Sequence, residues 1–589
     1  MKCLAVCSSE REIRPLLEAI EKMGAKKDSV ILSLGQLEAD AESGAVVKEY
    51  WDYISKQDLR RANNSAIDLV QNWHKFDRGF EKALEFEGIS LGLVSVSAMR
   101  VVFRDSIRHL VAFSNAVQKE KPDIVIAAKN CHSGRIARAG AKKAGIKRIE
   151  FLDIDPGPGL NRWPNISPIK FLEICKKTGQ IFSGLLESRG KGELVFVRSR
   201  GSYLPGIENA LKKSGLAVYS LDLFLLKRML NPKNMLGFLK ARNQMPAYFA
   251  KAVKSFESSK GFKENMSFEG MPLDEIFDAE IQRFVGREWP EFAVLIKKIR
   301  ALFAKRRPGA VLLWTDFEAF ERICTLAAKQ QKIPSIVAQH GIFETETENN
   351  DRKWITGFTP MLADRIFVWG NFFRKELEKE GVPSQSIAVT GTPKFDFLKG
   401  KQFRPTEFRK KISVKESEAL VTLIMSSDPY MQSRMIDMAF KASKNFPKCR
   451  FAVKVHPSEA KEKYVKMAEK LGKSAIVLQA EDLYELMNAS ELVVVHASTV
   501  GIEAAALGRP VVIMTKKRDH AAAYPKGCGL SFVETQQGFE KALAEKSLPK
   551  KGFLRNFAFR LDGKAGKRIA GLVKEAVLEK KGRAELISV

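Results

Sequence analysis

Short, wholly apolar runs recur along the chain, each ended by a polar turn and followed by an amphipathic stretch. "IVIAA" at 124–128, "ALVTLIM" at 419–425, "AIVL" at 475–478, "LVVV" at 492–495 and "VVIM" at 511–514 are of this kind. Runs of that length with no polar alternation suit strands covered on both faces. Interleaved with helical periodicity, they predict parallel α/β layers.

The pattern also repeats. "LAVCSSEREIRPLLEAIEKMGA" (4–25) parallels "LVFVRSRGSYLPGIENALKKSGLA" (194–217), each reading as strand, polar turn and helix. "FEGISL" at 86 returns as "FEGMPL" at 268, and "KPDIVIAA" returns as "RPGAVLLW", with Pro122 opposite Pro308. Three matches in one order at nearly one spacing predict two related Rossmann-like units. The Pro- and Gly-rich "DIDPGPGLNRWPNISP" (153–168) marks a linker after the first. Five further strand-like runs from about residue 415 predict a third doubly wound unit. The expected division is an N-terminal unit over 1–160, a linker over 161–190, an acceptor-side domain over 191–355 and a donor-side domain over 356–589 with a closing helix.

At 589 residues, 45% hydrophobic and 28% charged, the chain can fill several cores. Its seven cysteines are scattered with none at CxxC spacing, which points away from zinc knuckles and disulfides and toward a reducing compartment. No uncharged apolar run reaches the length of a membrane span, so a cytoplasmic protein is expected. The formal charge of +29 favours polyanions or an anionic membrane surface. It is densest in "LFLLKRMLNPKNMLGFLKARNQMPAYFAKAVKSF" (223–256) and "KKIRALFAKRR" (297–307), which suit either an interfacial surface or helices packing an apolar face. No signature of specific nucleic-acid recognition accompanies the charge.

Candidate chemistry clusters at strand ends, where crevices form in open α/β sheets. In "VVVHASTVGIEAAALGRPVV" a strand runs into Ser498 and Thr499 before a helix, with Glu503 one turn in. Hydroxyls and a helix N-terminus suit a phosphate, and the carboxylate suits ribose hydroxyls. Each feature also serves as ordinary helix capping. "FAVKVHP" ends a strand at His456, with Lys454 two residues back on the same face, and "LIMSSDP" ends another at Ser426 and Ser427. "IVAQHGIF" places His340 after a buried strand, opposite Asp153 in the repeat alignment, so the second copy carries the histidine. Asp316 in "LLWTDFEAF" can orient His340, bind an acceptor or cap a helix, while Gly391 and Thr392 in "VTGTPKFD" can let a backbone approach a phosphate. "DID" at 153–155 is a lone acidic pair, and no cation site is evident.

"ADRIFVWGNFFRKELEKEGVPSQSIAVTGTPKFD", "VKVHPSE", "HASTVGIEAAALGRPVV", "LDGKAGKRIA" and "AQHGIF" carry a resemblance over about 305–575 to GT-B-type enzymes that build surface polysaccharides. The similar sets are CDP-glycerol glycerophosphotransferases, capsular polysaccharide transferases and the related UDP-N-acetylglucosamine 2-epimerase fold. Residues 1–190 match none of them. The resemblance implies a GT-B fold of two facing Rossmann-like domains plus the extra N-terminal unit, and a donor site without metal or cofactor. It implies His456, Ser498 and Thr499 on the donor phosphate, Glu503 on its ribose and His340 as base for an acceptor hydroxyl. An imidazole titrating near neutrality fits that last task. The expected partners are a nucleotide-activated donor and a glycan or lipid-linked acceptor, with the inner membrane face as an expected meeting place. A UDP-sugar 2-epimerase, a non-catalytic scaffold and a non-specific RNA binder are the rivals.

Overall fold

The computed structural model describes residues 1–25, 29–35, 46–141, 143–154, 192–199, 204, 206–221, 249, 254, 259–342, 361–425, 428–457, 459–496, 498–515, 524 and 528–587. The first sheet contains β1 (Cys3–Cys7), β2 (Val30–Ser33), β3 (Val46–Glu49), β6 (Ile124–Ala128) and β7 (Ile149–Leu152), in the order β3-β2-β1-β6-β7. Small antiparallel hairpins pair β4 (Glu85–Phe86) with β5 (Ile89–Ser90) and β10 (Ser267–Phe268) with β11 (Met271–Pro272). The second sheet holds β8 (Leu194–Arg198), β9 (Ala217–Ser220), β12 (Ala310–Leu313), β13 (Ser335–Ala338), β14 (Arg365–Val368) and β15 (Ile387–Val389), ordered β15-β14-β13-β12-β8-β9. The third holds β16 (Ala419–Ile424), β17 (Cys449–Lys454), β18 (Ala475–Leu478), β19 (Leu492–Val495), β20 (Val511–Met514) and β21 (Ser531–Val533), ordered β18-β17-β16-β19-β20-β21. Every pairing in these three sheets is parallel, and β1, β6, β12, β13, β19 and β20 are buried along their whole length. That burial explains their unbroken apolar runs.

The repeat has a geometric form. The order β2-β1-β6-β7 in the first sheet returns as β9-β8-β12-β13 in the second. Both "FEG" turns place Glu then Gly at positive φ, 49° and 73° at Glu87 and Gly88, 49° and 78° at Glu269 and Gly270. Such a two-residue turn matches the twist of a tight hairpin. Corresponding residues also meet one another. Asp77 and Ser259 cap corresponding helices, and the Ser259 hydroxyl donates to the Asp77 carboxylate at 3.0 Å. Phe80 and Phe262 stack edge to face at 5.1 Å. Gln330 donates to the Glu87 carbonyl at 3.0 Å, and Lys143, its counterpart, donates to the Glu269 carbonyl at 2.7 Å. Residues meeting their own counterparts, with the remaining contacts reciprocated, describe an approximate two-fold axis inside one chain.

Two expectations change. The break placed at 355/356 cuts through the second sheet, because β14 and β15 add to it and the third sheet starts only at Ala419. The closing helix, Ala565–Ile587, does not finish the third unit. It returns to the second, where Ile569, Ala570, Val573 and Val577 share a core with Val195, Leu312 and Ile336. The physical reason is its apolar stripe, for which Gly309 leaves room: a β-carbon there would lie 2.8 Å from Val577.

The linker at 161–190 lies outside the described residues, as does nearly all of the basic stretch 223–256. The second basic stretch lies in helix Trp289–Arg306, which buries Ile296, Ile299 and Phe303 and sets Arg300 against Glu87. Its charge is thus partly used within the protein. No helix among the described residues is long and apolar enough to cross a membrane.

Deleting the Phe80 ring should cost about 3–5 kcal/mol. If the internal two-fold contact is direct, Phe80→Ala and Phe262→Ala should couple by about 0.5–1.5 kcal/mol in a urea-unfolding double-mutant cycle. A pH effect follows from His74, which is 2% exposed and whose Nδ1 has no hydrogen-bond partner. Burial, helped by Lys75 and Arg322, lowers its pKa from 6.5 to about 4. The unfolded chain therefore takes up this proton first. Stability from the neutral ring should be full above about pH 6.5 and be lost as pH falls through about 4, on the order of 3 kcal/mol. Melting curves of His74→Leu should lack that part of the acid slope.

Candidate functional site

In each large sheet the strand order reverses once, between β8 and β12 in the second and between β16 and β19 in the third. Crevices open at the carboxyl ends of such strands. The chain leaving β13 forms the His340 turn, held by several bonds. Gln339 donates from Nε2 to the Gly341 carbonyl at 2.8 Å and accepts from the Trp369 amide at 2.8 Å, while the Trp369 indole donates to the Gln339 carbonyl at 2.7 Å. His340 Nδ1 lies 2.9 Å from the Trp314 carbonyl, and its ring stands edge-on to the Trp314 indole at 4.4 Å. A carbonyl only accepts, so Nδ1 carries the proton and Nε2 of the neutral ring is left as the basic nitrogen.

Opposite this turn lies the chain leaving β19. A β-carbon built on Gly341 would sit 3.5 Å from Thr499 Cγ2, so the two strand-end segments are in van der Waals reach. The expected cradle of open amides is not what forms there. The amides of Val500, Gly501, Ile502 and Glu503 are taken by Ser498 Oγ, the Ser498 carbonyl and the Thr499 carbonyl, at 3.0–3.3 Å. Helix Val500–Ala506 is short, and its first turn is closed by local capping. The Ser498 hydroxyl accepts from Val500 and keeps its own proton to donate.

Glu503 is 5% exposed, with Tyr484 donating to one oxygen at 2.7 Å and the Lys394 ammonium 3.6 Å from the other. Burial first, and the Glu503 charge next, raise the Tyr484 pKa, so the hydroxyl stays a donor. Tyr524, also raised by burial and then by Glu503, donates to the Ser498 carbonyl. Lys394, Tyr484 and Tyr524 were not among the residues expected from sequence. Lys394 lay inside the "GTPKFD" motif, and a buried tyrosine hydroxyl needing an acceptor was the available signal for the other two.

The remaining candidates divide. Gly391, at φ 79°, faces the returning helix, since a β-carbon there would lie 3.1 Å from Arg568 Nη2. Thr392 is buried and accepts from the Lys394 amide at 3.3 Å. Both shape the turn that presents Lys394. Asp316 is fully buried, and one oxygen accepts the amides of Leu362 and Ala363. Desolvation raises its pKa against the opposing charge of Arg322. It does not orient His340, which the Trp314 carbonyl holds instead. Lys454 also departs from expectation. Its ammonium donates to the carbonyls of Gln479 and Glu481, at the end of the neighbouring strand, rather than assisting His456. Burial lowers its pKa. His456 is exposed after β17, two strands from β19, and its carbonyl is bonded by Glu459 and Gln479. His496 Nδ1 pairs with the Met514 carbonyl at 2.9 Å. Ser426 and Ser427 lie outside the described residues. Among the described residues no three His, Cys, Asp or Glu side chains gather as a metal site.

Two parallel α/β sheets that meet at their strand ends, with a C-terminal helix crossing back to the earlier one, define a GT-B-type fold. The chain belongs to the UDP-N-acetylglucosamine 2-epimerase family, which matches residues 265–574. That span leaves out the first unit. Among solved structures, UDP-GlcNAc 2-epimerase from Methanocaldococcus jannaschii is 15% identical, covering 65% of this chain and 99% of its own, with a TM-score of 0.42. The enzyme from Neisseria meningitidis, bound to UDP-GlcNAc, is 17% identical over 65% of this chain and 99% of its own, with a TM-score of 0.38. HepE from Anabaena, in complex with UDP and glucose, is 14% identical over 67% of this chain and 99% of its own, with a TM-score of 0.34. No curated protein matches the chain.

A β-carbon on Gly501 would lie 2.5 Å from the Tyr524 hydroxyl. Gly501→Ala should push that hydroxyl off the Ser498 carbonyl and destabilise by about 1–3 kcal/mol in thermal unfolding. Adding Tyr524→Phe should recover part of the loss.

Proposed function

We propose that the chain processes a UDP-activated amino sugar, UDP-N-acetylglucosamine or a near relative, between the second and third sheets, altering the sugar in place as the family description implies. The observation that carries this reading is the approach of the His340–Gly341 turn to Thr499. It sets an imidazole with a basic Nε2 against a strand end bearing two hydroxyls and a buried carboxylate. In this reading Glu503, fixed by Tyr484 and Lys394, accepts from the ribose hydroxyls. Ser498 and Thr499 donate to the diphosphate, with His456 approaching it from the end of β17. His340 Nε2 takes the proton from the sugar carbon as the bond to the diphosphate breaks, and a proton returned to the opposite face with re-addition of UDP completes the change. Donors aimed at a leaving diphosphate offset its developing charge.

One observation favours a second reading, transfer to an acceptor hydroxyl as in the CDP-glycerol and capsular transferases. Inverting a carbon requires a proton removed from one side and returned on the other. At the described strand ends facing Thr499, however, one imidazole is poised while Asp316 is turned to the backbone. A single base matches the single proton an acceptor loses. A lipid-linked acceptor at an anionic membrane surface would also suit the charge of +29.

Incubating the full chain with UDP-N-acetylglucosamine and following proton NMR separates the two. The first reading expects the C2 epimer to form with no acceptor present. The second expects an unchanged sugar, with UDP released only once an acceptor such as glycerol phosphate-primed lipid is added. Absence of both binding and turnover with UDP- and CDP-activated donors would end both. His340→Ala should slow turnover by about 10²–10⁴-fold and leave UDP affinity nearly unchanged, because the imidazole acts on the sugar side.

A further inference from the structure

The internal duplication compares one scaffold with itself. In the second copy Arg322, fourth residue of helix Ala319–Gln330, is fully buried and its charge is opposed by Asp316. In the first copy the fourth residue of helix His132–Ala141 is again an arginine, Arg135, but the loop Lys129–Cys131 that leads into it carries no carboxylate. The guanidinium thus loses its local carboxylate. Burial lowers the Arg135 pKa, with Glu280 opposing; its Nη1 donates to the Asn130 carbonyl at 3.1 Å, while its Nε has no hydrogen-bond partner.

The surroundings differ in the same sense. Arg322 donates to the Leu93 carbonyl at 3.0 Å, and the segment holding Gly92, Leu93 and Val96 is packed closely enough that a β-carbon on Gly92 would lie 2.4 Å from His74. At the 182-residue spacing of Asp77 and Ser259, the counterparts of these three are Asp274, Glu275 and Asp278. There the structure leaves a pocket of about 440 Å³, lined also by Lys129, Asn130, Arg135 and Lys263. Arg138 and Glu275 satisfy each other at 2.7 Å. What remains is three cationic side chains, Lys129, Arg135 and Lys263, and two acidic ones, Asp274 and Asp278. Asp278 Oδ1 is buried without a partner, as Arg135 Nε is. Lys129 and Asn130 directly follow β6, beside the reversal of strand order between β1 and β6. Ligands of open parallel sheets bind at that place, and a volume of this size suits a small molecule.

We infer that this crevice of the first unit is a second binding site, and that it takes a compact zwitterion. An anionic group, carboxylate or phosphate, lies against Arg135 and Lys129, and an ammonium lies against Asp274 and Asp278. Charge-assisted bonds at both ends give the selectivity, since a plain anion leaves the two acids uncompensated and a plain cation leaves the arginine so. The site lies outside residues 265–574 on one side and owes nothing to the nucleotide cleft.

The test is isothermal titration of the full chain with β-alanine, O-phosphoethanolamine and inorganic phosphate. Saturable binding of at least one zwitterion below about 10 mM is expected, the better of carboxylate and phosphate identifying the anionic group. Arg135→Met and Asp278→Asn should each weaken it about tenfold or more, and inorganic phosphate should bind at least about tenfold more weakly. UDP binding should not change in either variant. If Arg135→Met fails to fold, Lys129→Glu on the exposed loop replaces it, with the same expected loss. No saturable binding of either zwitterion, affinity unmoved by the variants, or phosphate bound as tightly as the zwitterion would each overturn the assignment.

Discussion

The Asp396 carboxylate holds the start of the last helix, accepting the amides of Ala565 and Gly566 at 2.9 and 2.7 Å. Arg568 adds a bond to the Thr390 carbonyl at 2.7 Å and a two-pronged pair with Asp562. This clamp brings the end of the chain, after it has traversed the third sheet, back across the second. With the ends of the third unit's path tied to one turn, the opening between the sheets has a defined width, and Gly341 can meet Thr499. "VTGTPKFD" and "LDGKAGKRIA" were singled out as separate family motifs, yet physically they are two halves of one joint.

The same turn delivers chemistry. Lys394 lies two residues before Asp396, so the segment that locks the helix also sets an ammonium beside Glu503. A carboxylate that is 5% exposed needs hydrogen-bonding and charged partners inside the protein, and these two supply them. Tyr484 and Lys394 together fix its rotamer before any ligand arrives, which lowers the ordering cost of binding. His340 is treated alike from the other side, its tautomer fixed by one carbonyl and its turn by the Gln339–Trp369 pair.

Much of the fold was legible because strands buried on both faces write themselves as unbroken apolar runs. The repeated "FEG" was legible as a repeat, though not as a pair of hairpins. What local pattern does not encode is the destination of an element. "RIFV" and "IAV" could join either unit, and only the pairing of β14 with β13 and of β15 with β14 assigns them to the second sheet. At the site, Ser498, Thr499 and Glu503 share one short segment and could be found together. Tyr484 reaches Glu503 across 19 residues, a relation that no spacing rule reveals. Lys454 misled for a related reason. Alternation would set it on the face of His456, but the strand ends at Lys454, and a long side chain at a strand end can turn toward carbonyls next door, as it does. Asp316 sat at the right strand end, but backbone amides from residues 362 and 363 claimed its oxygen.

Pairing of the first two units happens within one polypeptide, and that sets it apart from an association between separate molecules. A tethered partner is present at an effective concentration of order millimolar however dilute the cell keeps the protein. The aromatic and polar contacts at Phe80, Phe262, Asp77 and Ser259 therefore need not be strong one by one. Once tethered, the two copies are also free to diverge, because a change in one is no longer imposed on the other by symmetry. His340 opposite Asp153, and Asp316 against a loop Lys129–Cys131 with no carboxylate, are where that freedom has been used.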